Sequence, residues 1–277
     1  MRIKVCSLIL FFFGCYNNFF ADPLLIQVKV VDDCIEAKIL NNKIKGVKFY
    51  RGNLKKDMLS EEKEIKDVSG NKISFEKDDS KWVTIYIEDT KDFKLASLME
   101  CCKDLEIVLI DEDTLKIPRT FFSGLNDSFY GCENLKICSL KSIIGSYMKN
   151  FFSFKFKCAF EKCEKLRYVN FENMQENIGL WLTPGLLLRP FRGCNNLIAI
   201  FVNKEVNDFL FKMAPNDDVY FLCYKGAKDT LTKKVGKKYY SRIIEVDNQE
   251  QVLNFFIVNK DMGKEELRKK FQDTFVK

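Results

Sequence analysis

Apolar residues recur at a fixed interval through the middle of the chain, around three copies of one short pattern. Phenylalanine, cysteine and leucine take the same places in each copy, at residues 129–135, 160–166 and 191–197. The cysteines Cys132, Cys163 and Cys194 are 31 residues apart in both intervals. A constant period of this length indicates that each copy is one unit, whose apolar face is buried by stacking on its neighbours. The pattern therefore predicts an array of stacked units.

Alternating apolar residues follow the leucine of each copy, at positions six and eight after the cysteine. In the first copy these are Cys138 and Leu140. A period of two is typical of a half-buried strand, so each copy is predicted to form a turn, a short strand and a return segment. A degenerate fourth copy begins at Met99, and its Cys102 lies 30 residues before Cys132. The predicted repeat core is Met99, Cys102, Leu105, Phe129, Cys132, Leu135, Phe160, Cys163, Leu166, Phe191, Cys194 and Leu197.

Residues 22–96 contain no copy of the motif and are predicted to form a separate, small N-terminal β unit. Their β-branched and aromatic segments are short and are separated by clusters of Asn, Asp, Gly and Lys, which is typical of strands joined by turns. Strands are predicted at 24–31, 35–40, 47–50, 72–76 and 82–87. Because the end of a stack must be shielded from solvent and from edge pairing, we expect this unit to cover the first coil.

The pattern changes to helical spacing in the last segment, residues 248–277. Leu267, Phe271 and Phe275 recur every four residues, with charged residues on the opposite face, which predicts an amphipathic helix of about three turns. Two interpretations remain open. The helix is either a cap that docks its phenylalanine stripe on the last coil, or a helix that binds a membrane surface or a partner.

The repeated motif Phe-x-Gly-Cys-x-x-Leu resembles the BspA-like leucine-rich repeat, and the segment from Val219 to Val246 is similar to the closing unit of that family. The resemblance covers residues 97–247, although the repeat is longer than the commonest unit of the family. It implies that these residues form an irregular leucine-rich repeat solenoid. Together with the small N-terminal β unit before it and the C-terminal helix that closes it, the predicted fold is mainly β with short helices. Members of this family are typically surface-exposed or secreted proteins of host-associated microbes. The resemblance therefore implies binding to host or bacterial surfaces.

The first 21 residues have the pattern of a signal peptide, with Arg2 and Lys4 ahead of an apolar run at 5–13. The run is shorter than the roughly 20 residues that span a bilayer. Residues 12–15 resemble a relaxed lipobox, in which Cys15 would become the acylated first residue and anchor the protein to a membrane. The alternative is ordinary secretion with cleavage after Ala21, although that places the bulky Phe19 where a small residue is preferred.

Composition excludes several classes of enzyme. The chain is 47% hydrophobic and 30% charged, as in globular proteins, and it has no histidine. Ser-His-Asp and Cys-His nucleophilic pairs and histidine-containing zinc sites are thereby excluded. No phosphate-binding loop or dinucleotide fingerprint occurs either, so we predict no enzymatic activity and no cofactor.

Eleven cysteines in an exported chain raise the question of disulfides. The motif cysteines hold equivalent places in successive units, which favours a ladder of buried thiols over disulfide pairing, because free cysteine behaves as a small hydrophobe. Zinc is disfavoured because paired C-x-x-C knuckles are missing, and we predict no metal site.

The formal net charge is +6, and most of the excess lies from Lys225 onwards. Because the excess lies at one end of the chain, nucleic acid is not a predicted partner. Within this end, Lys233, Lys234, Lys237 and Lys238 stand beside two tyrosines. They either meet acidic glycans or lipid headgroups, or form a solvated face of the closing unit.

The function predicted from these observations is surface binding. We expect an exported, lipid-anchored protein of the cell surface or outer membrane that mediates adhesin-like binding, with a protein or glycan on a host or neighbouring cell as its partner. The candidate binding face is the set of strand residues predicted to point outwards: Lys136, Ser139, Arg167, Asn170 and Ile198. The alternative is a structural envelope lipoprotein without a host partner.

Overall fold

The computed structural model of the protein describes residues 23–41, 46–77, 79–88, 97–110, 125, 127–141, 158–172, 190–204, 206 and 208–276. The strands in these ranges are β1 (Leu24–Val30), β2 (Glu36–Lys38), β3 (Val47–Arg51), β4 (Lys72–Ser74), β5 (Trp82–Ile87), β6 (Leu105–Leu109), β7 (Ile137–Ser139), β8 (Tyr168–Phe171), β9 (Ala199–Val202), β10 (Tyr220–Tyr224) and β11 (Ile243–Val246). The α-helices are α1 (Asp208–Lys212), α2 (Lys228–Lys234), α3 (Gln249–Val258) and α4 (Lys264–Phe275), and short 3₁₀ helices cover Lys56–Met58, Glu61–Lys63 and Lys237–Arg242. The prediction of a mainly β protein with short helices is confirmed.

Nine of these strands form one large mixed sheet, in the order β11-β10-β9-β8-β7-β6-β1-β5-β3, while β2 and β4 pair in a small second sheet. Strands β6 to β11 run parallel to one another. The three strands β1, β5 and β3 continue the sheet with antiparallel pairing. The parallel half is therefore extended by the N-terminal strands without a break.

The pairing register of the parallel strands follows the interval between the motif cysteines. Ile137 lies opposite Tyr168, and Tyr168 lies opposite Ala199, so each step along the sheet is 31 residues in the chain. Between β6 and β7 the step is 30 residues, since Ile107 lies opposite Ile137. The spacing read from the cysteines thus gives the alignment of these strands.

Strands were predicted at five places in the N-terminal region, and all five contain a strand. The agreement is best for β1, β3 and β5, whereas β2 and β4 are shorter than predicted. The sheet runs across the predicted boundary between this region and the array, because β1 pairs directly with β6, with Val28 opposite Val108. The antiparallel neighbour does cover the edge of β6, as expected for a cap.

The turn that precedes each strand requires a left-handed backbone at the residue before the motif cysteine. Gly131 and Gly193 have φ angles of +70° and +85°, which explains the glycine of the motif. Cys101 and Lys162 hold the equivalent place in the other two turns with φ angles of +57° and +66°. A Cβ atom at Gly131 would lie 3.3 Å from the sulfur of Cys101, so the turns also pack closely on one another.

The sheet separates two apolar layers. One layer contains the phenylalanine, cysteine and leucine positions of the motif, together with inward residues of β1, β3 and β5. The other lies between the opposite face of the sheet and the helices α3 and α4. Strands β6 to β9 are buried at every position, as expected for parallel strands that are covered on both faces.

The predicted C-terminal amphipathic helix is α4, and its stripe is buried at Leu267 and Phe271. Of the two interpretations, the burial of this stripe favours a helix that packs on the protein itself. The ring of Phe271 lies 5.4 Å from that of Tyr220 in β10, on the face of the sheet. A second helix, α3, was not predicted. It begins after Asn248, whose side chain accepts a hydrogen bond from the backbone N–H of Glu250.

Candidate functional site

The described members of the predicted repeat core lie in the interior of the protein. The least buried of the twelve exposes one per cent of its surface. Phe160 stacks between Phe129 and Phe191, with ring centroids 5.1 Å and 5.5 Å apart and the rings nearly parallel. Such offset aromatic stacking adds about 0.5–1.5 kcal/mol per pair to the burial of the rings.

The motif cysteines form a second ladder beside the phenylalanines. Each thiol donates a hydrogen bond to the carbonyl oxygen of the first residue of the preceding copy: Cys132 to Met99 at 2.9 Å, Cys163 to Phe129 at 3.0 Å, and Cys194 to Phe160 at 3.0 Å. These cysteines are free thiols, as predicted. Burial raises the pKa of Cys102 to about 12 and raises the pKa of Cys163 well above its ordinary value, so these sulfurs remain protonated and unreactive.

The predicted binding face is not a solvent-facing surface. Ser139, Asn170 and Ile198 are buried, and Lys136 and Arg167 are partly buried. The exposed ladder expected at these five positions is therefore wrong. Asn170 donates a side-chain hydrogen bond to the hydroxyl of Ser139 at 3.1 Å, so the two polar members satisfy each other within the structure.

Helices α3 and α4 cover this face. The ring of Phe256 in α3 stacks on Tyr168 at 4.8 Å, and Phe271 in α4 packs on Tyr220. The physical reason is that the outward positions of the strands are themselves apolar, at Ile107, Ile137 and Phe201. A face of this kind must be buried, and the C-terminal helices supply the covering layer.

The two charged members of the predicted face lie at the margin of the covering helices. Lys136 donates to the carboxylate of Glu106 at 2.7 Å and to that of Asp261 at 2.6 Å. Arg167 extends towards the carbonyl of Asn259 at 3.5 Å, and burial lowers the pKa of its guanidinium. Both side chains thus contact the turn between α3 and α4.

Glu106 is the centre of a charged cluster that joins the sheet to this turn. It is almost completely buried and receives hydrogen bonds from Lys29 at 2.8 Å, from Lys136, and from Lys260 at 3.1 Å. Burial acts to raise the pKa of Glu106, but the hydrogen bonds from the three lysines outweigh it and hold the pKa below its ordinary value. Hydrogen bonds from Lys136 and Lys260 likewise lower the pKa of Asp261 to about 2.

This cluster was missed in the sequence, because its members come from four distant places in the chain. One signal was available: Glu106 is a charged residue inside the apolar run of β6. A buried carboxylate requires partners of opposite charge. The arrangement joins β1, β6 and the segment before β7 to the turn between α3 and α4.

Two surfaces are exposed in the described residues near the array. The first is the edge formed by the motif turns, where Asn134 donates to the carbonyl of Lys103 and Asn196 donates to that of Glu164. Lys103 also pairs with Glu133 at 2.6 Å. The second is the lysine-rich segment between β10 and β11, which includes the predicted cluster Lys233, Lys234, Lys237 and Lys238.

Within the described ranges, no group of three or more metal-binding side chains is placed to hold an ion. No helix in the same ranges is both long enough and apolar enough to cross a membrane. Cys15 and the rest of the predicted signal segment lie outside the described residues.

Comparison of the chain with models of protein families, with curated proteins and with solved structures gave no match. The resemblance to the BspA-like leucine-rich repeat therefore remains a prediction.

Proposed function

We propose that the protein is an exported, lipid-anchored cell-surface protein that binds a protein or glycan of another cell, in the manner of an adhesin. In this proposal residues 97–247 form an irregular leucine-rich repeat solenoid, and the region before it and the C-terminal helices complete its core. The protein has no enzymatic role. Attachment to the membrane is through acylated Cys15.

The observation that carries the proposal is the stacking of equivalent residues from successive motif copies. The ring of Phe160 stacks between those of Phe129 and Phe191. The thiols of Cys163 and Cys194 each donate a hydrogen bond to the preceding copy. Contacts of this kind are expected between neighbouring coils of a repeat array. Extended arrays present long surfaces that bind large partners through many modest contacts.

The covered strand face changes where such a partner would bind. Because α3 and α4 fill that face, we propose that binding uses the edge of the motif turns and the lysine-rich flank. Lys103, Glu133 and Lys162 lie exposed along this edge. Polar side chains at a rigid edge supply specific contacts at low cost in ordering entropy.

The covering of the strand face by α3 and α4 favours a second candidate function. A strand face closed by its own helices suits a structural envelope lipoprotein without a host partner, because no broad face is left open for recognition. The two functions require different exposure of the protein. An adhesin-like protein must be reachable from outside an intact cell, whereas a structural envelope lipoprotein need not be.

Anchoring is tested with a palmitate analogue that carries an alkyne, fed to cells that produce the full chain. We expect the reporter to label the wild type and Cys6→Ser, and to be lost in Cys15→Ser. Cys6→Ser is the matched control, since both cysteines belong to the predicted signal segment. An unlabelled wild type would contradict the lipid anchor.

Orientation is tested by treating intact cells with protease. Loss of the full-length protein while a cytoplasmic marker survives supports display on the surface. Complete protection, followed by digestion once the envelope is opened, would contradict the adhesin-like function and favour the structural alternative.

A further inference from the structure

Six lysines lie on the segment between β10 and β11, which contains α2 and the 3₁₀ helix Lys237–Arg242. We call them the lysine patch; its members are Lys225, Lys228, Lys233, Lys234, Lys237 and Lys238. Asp229 is the one acidic residue between Lys225 and Ser241. A segment with this composition projects a positive potential into the surrounding solvent.

The backbone that carries the patch is fixed by buried side chains at intervals of four residues. Ala227, Leu231, Val235 and Tyr239 are all buried beneath it. The ring of Tyr239 packs edge-on against Phe211, with the centroids 5.5 Å apart. The lysines between these anchors are therefore held on a rigid support, which reduces the entropy that a ligand must overcome.

Four lysines of the patch are weakly paired or have no acidic partner among the described residues. Lys225 pairs with Asp247 at 3.5 Å, but both side chains are about four-fifths exposed, so the pair is screened by solvent. Within the described residues, no carboxylate lies within 4.0 Å of the ammonium groups of Lys233, Lys237 and Lys238. These three residues contrast with Lys136, whose charge is balanced by Glu106 and Asp261.

One neighbouring acidic side chain, that of Glu245, accepts hydrogen bonds from the backbone instead of from a lysine. Glu245 accepts hydrogen bonds from the backbone N–H groups of Gly226 and Lys228 at 2.7 Å and 3.1 Å. Its carboxylate thus stabilises the start of α2. At the other end of the segment, Lys233, Lys237 and Lys238 are exposed to an external anion.

The side chains of the patch favour one kind of polyanion. Lysine is a compact, hydrated point charge that binds sulfate or carboxylate without a strict geometry. The arginine of this segment, Arg242, is buried against Tyr239 and does not offer the planar fork common in nucleic-acid recognition. The large hydrophobic side chain exposed within the segment is Tyr240, and no exposed aliphatic residue accompanies it there for insertion into a membrane.

Given the surface display proposed above, on which the choice of partner rests, we propose that the lysine patch binds an acidic polysaccharide. The ligand is a glycan chain that carries sulfate or carboxylate groups, with Tyr240 lying against the sugar rings. The neighbouring edge of motif turns is free to add further contacts.

The test measures binding of the purified full chain to dextran sulfate by calorimetry, with neutral dextran as the reference ligand. At about 0.15 M salt, we expect Lys233→Gln/Lys237→Gln/Lys238→Gln to weaken binding by about tenfold or more, because three positive charges without a described acidic partner are removed. The dependence of log affinity on log salt concentration should also become shallower by about two to three. Neutral dextran should not bind.

The matched control is Lys55→Gln/Lys63→Gln/Lys66→Gln, which removes the same charge from three exposed lysines outside the patch. This variant should bind dextran sulfate like the wild type. Equal losses in both triple variants, or no loss in either, would overturn the proposal. Unchanged far-UV circular dichroism and melting temperature in both variants exclude unfolding as the cause.

Two further ligands separate the classes of polyanion. Tighter binding to single-stranded DNA, or to phosphatidylcholine vesicles containing phosphatidylserine, with the same dependence on the patch, would overturn the choice of a glycan. These measurements use purified protein and do not depend on where the protein resides. If the protein did not bind dextran sulfate but was digested by protease on intact cells, the polysaccharide ligand would be contradicted. The proposed surface location would still be supported.

Discussion

At the scale of single residues, the turn before each strand is the most demanding position in the motif. Gly131 adopts a left-handed backbone and also lies against Cys101 of the preceding turn. A side chain at residue 131 would therefore strain the backbone and lie too close to the sulfur of Cys101. Lys162 adopts a similar backbone in the next turn, so glycine is favoured there without being obligatory.

Gly131→Ala is expected to lower the free energy of unfolding by about 1–2 kcal/mol, because alanine is strained at positive φ and its Cβ crowds the sulfur of Cys101. The measurement is unfolding in urea. Gly236→Ala is the control: Gly236 has a negative φ angle of −68° and open space around its Cα, so its replacement should leave stability unchanged or slightly raised. Equal destabilisation by both would contradict this account of the turn.

At the scale of elements, the pair of C-terminal helices is joined to the sheet by apolar packing and by the cluster around Glu106. Breaking a buried ion pair costs more than the pair contributes, because the remaining charges lose their partner. Removal of the Glu106 charge leaves three lysine ammonium groups around a neutral side chain. Asp261 then compensates two of them in part.

Glu106→Gln is expected to lower the free energy of unfolding by about 3 kcal/mol at neutral pH. The control is Glu133→Gln, which removes the exposed partner of Lys103 and should change stability by less than about 1 kcal/mol. Urea unfolding monitored by circular dichroism measures both. A similar small effect in the two variants would show that the cluster does not hold the helices.

The pH dependence of stability follows from the same carboxylates. Because their pKa values are lower in the folded than in the unfolded protein, their contribution is present above the unfolded value and is lost as pH falls through the folded value. For Asp261 this window lies between its ordinary value of 3.8 and about 2. The wild type should therefore lose stability below about pH 5, and the loss should be smaller in Glu106→Gln.

Prediction from sequence succeeded where the apolar pattern is local. The strand that follows each motif depends on a period of two residues and the stripe of α4 on a period of four, while the motif itself shows in its 31-residue recurrence. The exposure of Ser139, Asn170 and Ile198 was wrong, because it assumed that one strand face would meet water. The apolar outward residues Ile137, Tyr168 and Phe201 signalled a second buried layer, yet only the tertiary packing shows that α3 and α4 form it.

At the scale of the whole molecule, the continuous sheet joins the N-terminal strands and the array into one cooperative unit. Strand β1 shares hydrogen bonds with β5 on one side and with β6 on the other. Loss of either half would expose the edge of the other. We therefore expect the two regions to unfold together.

Cooperative unfolding can be tested with Trp82 in β5, after replacement of the other tryptophan in Trp181→Phe. The fluorescence of Trp82 reports on the N-terminal strands, whereas far-UV circular dichroism reports on the whole chain. We expect the two urea transitions to coincide. A fluorescence transition at a clearly lower urea concentration would indicate an independent N-terminal domain.

The thiol hydrogen bonds between motif copies also constrain how the number of copies can increase during evolution. Each cysteine donates to the preceding copy, and the donor and acceptor positions repeat from one copy to the next. A gene duplication that inserts a whole copy would recreate every bond at both junctions. An insertion of another length within the motif or its strand would misplace them, so lengthening by complete units is the route that conserves the interior.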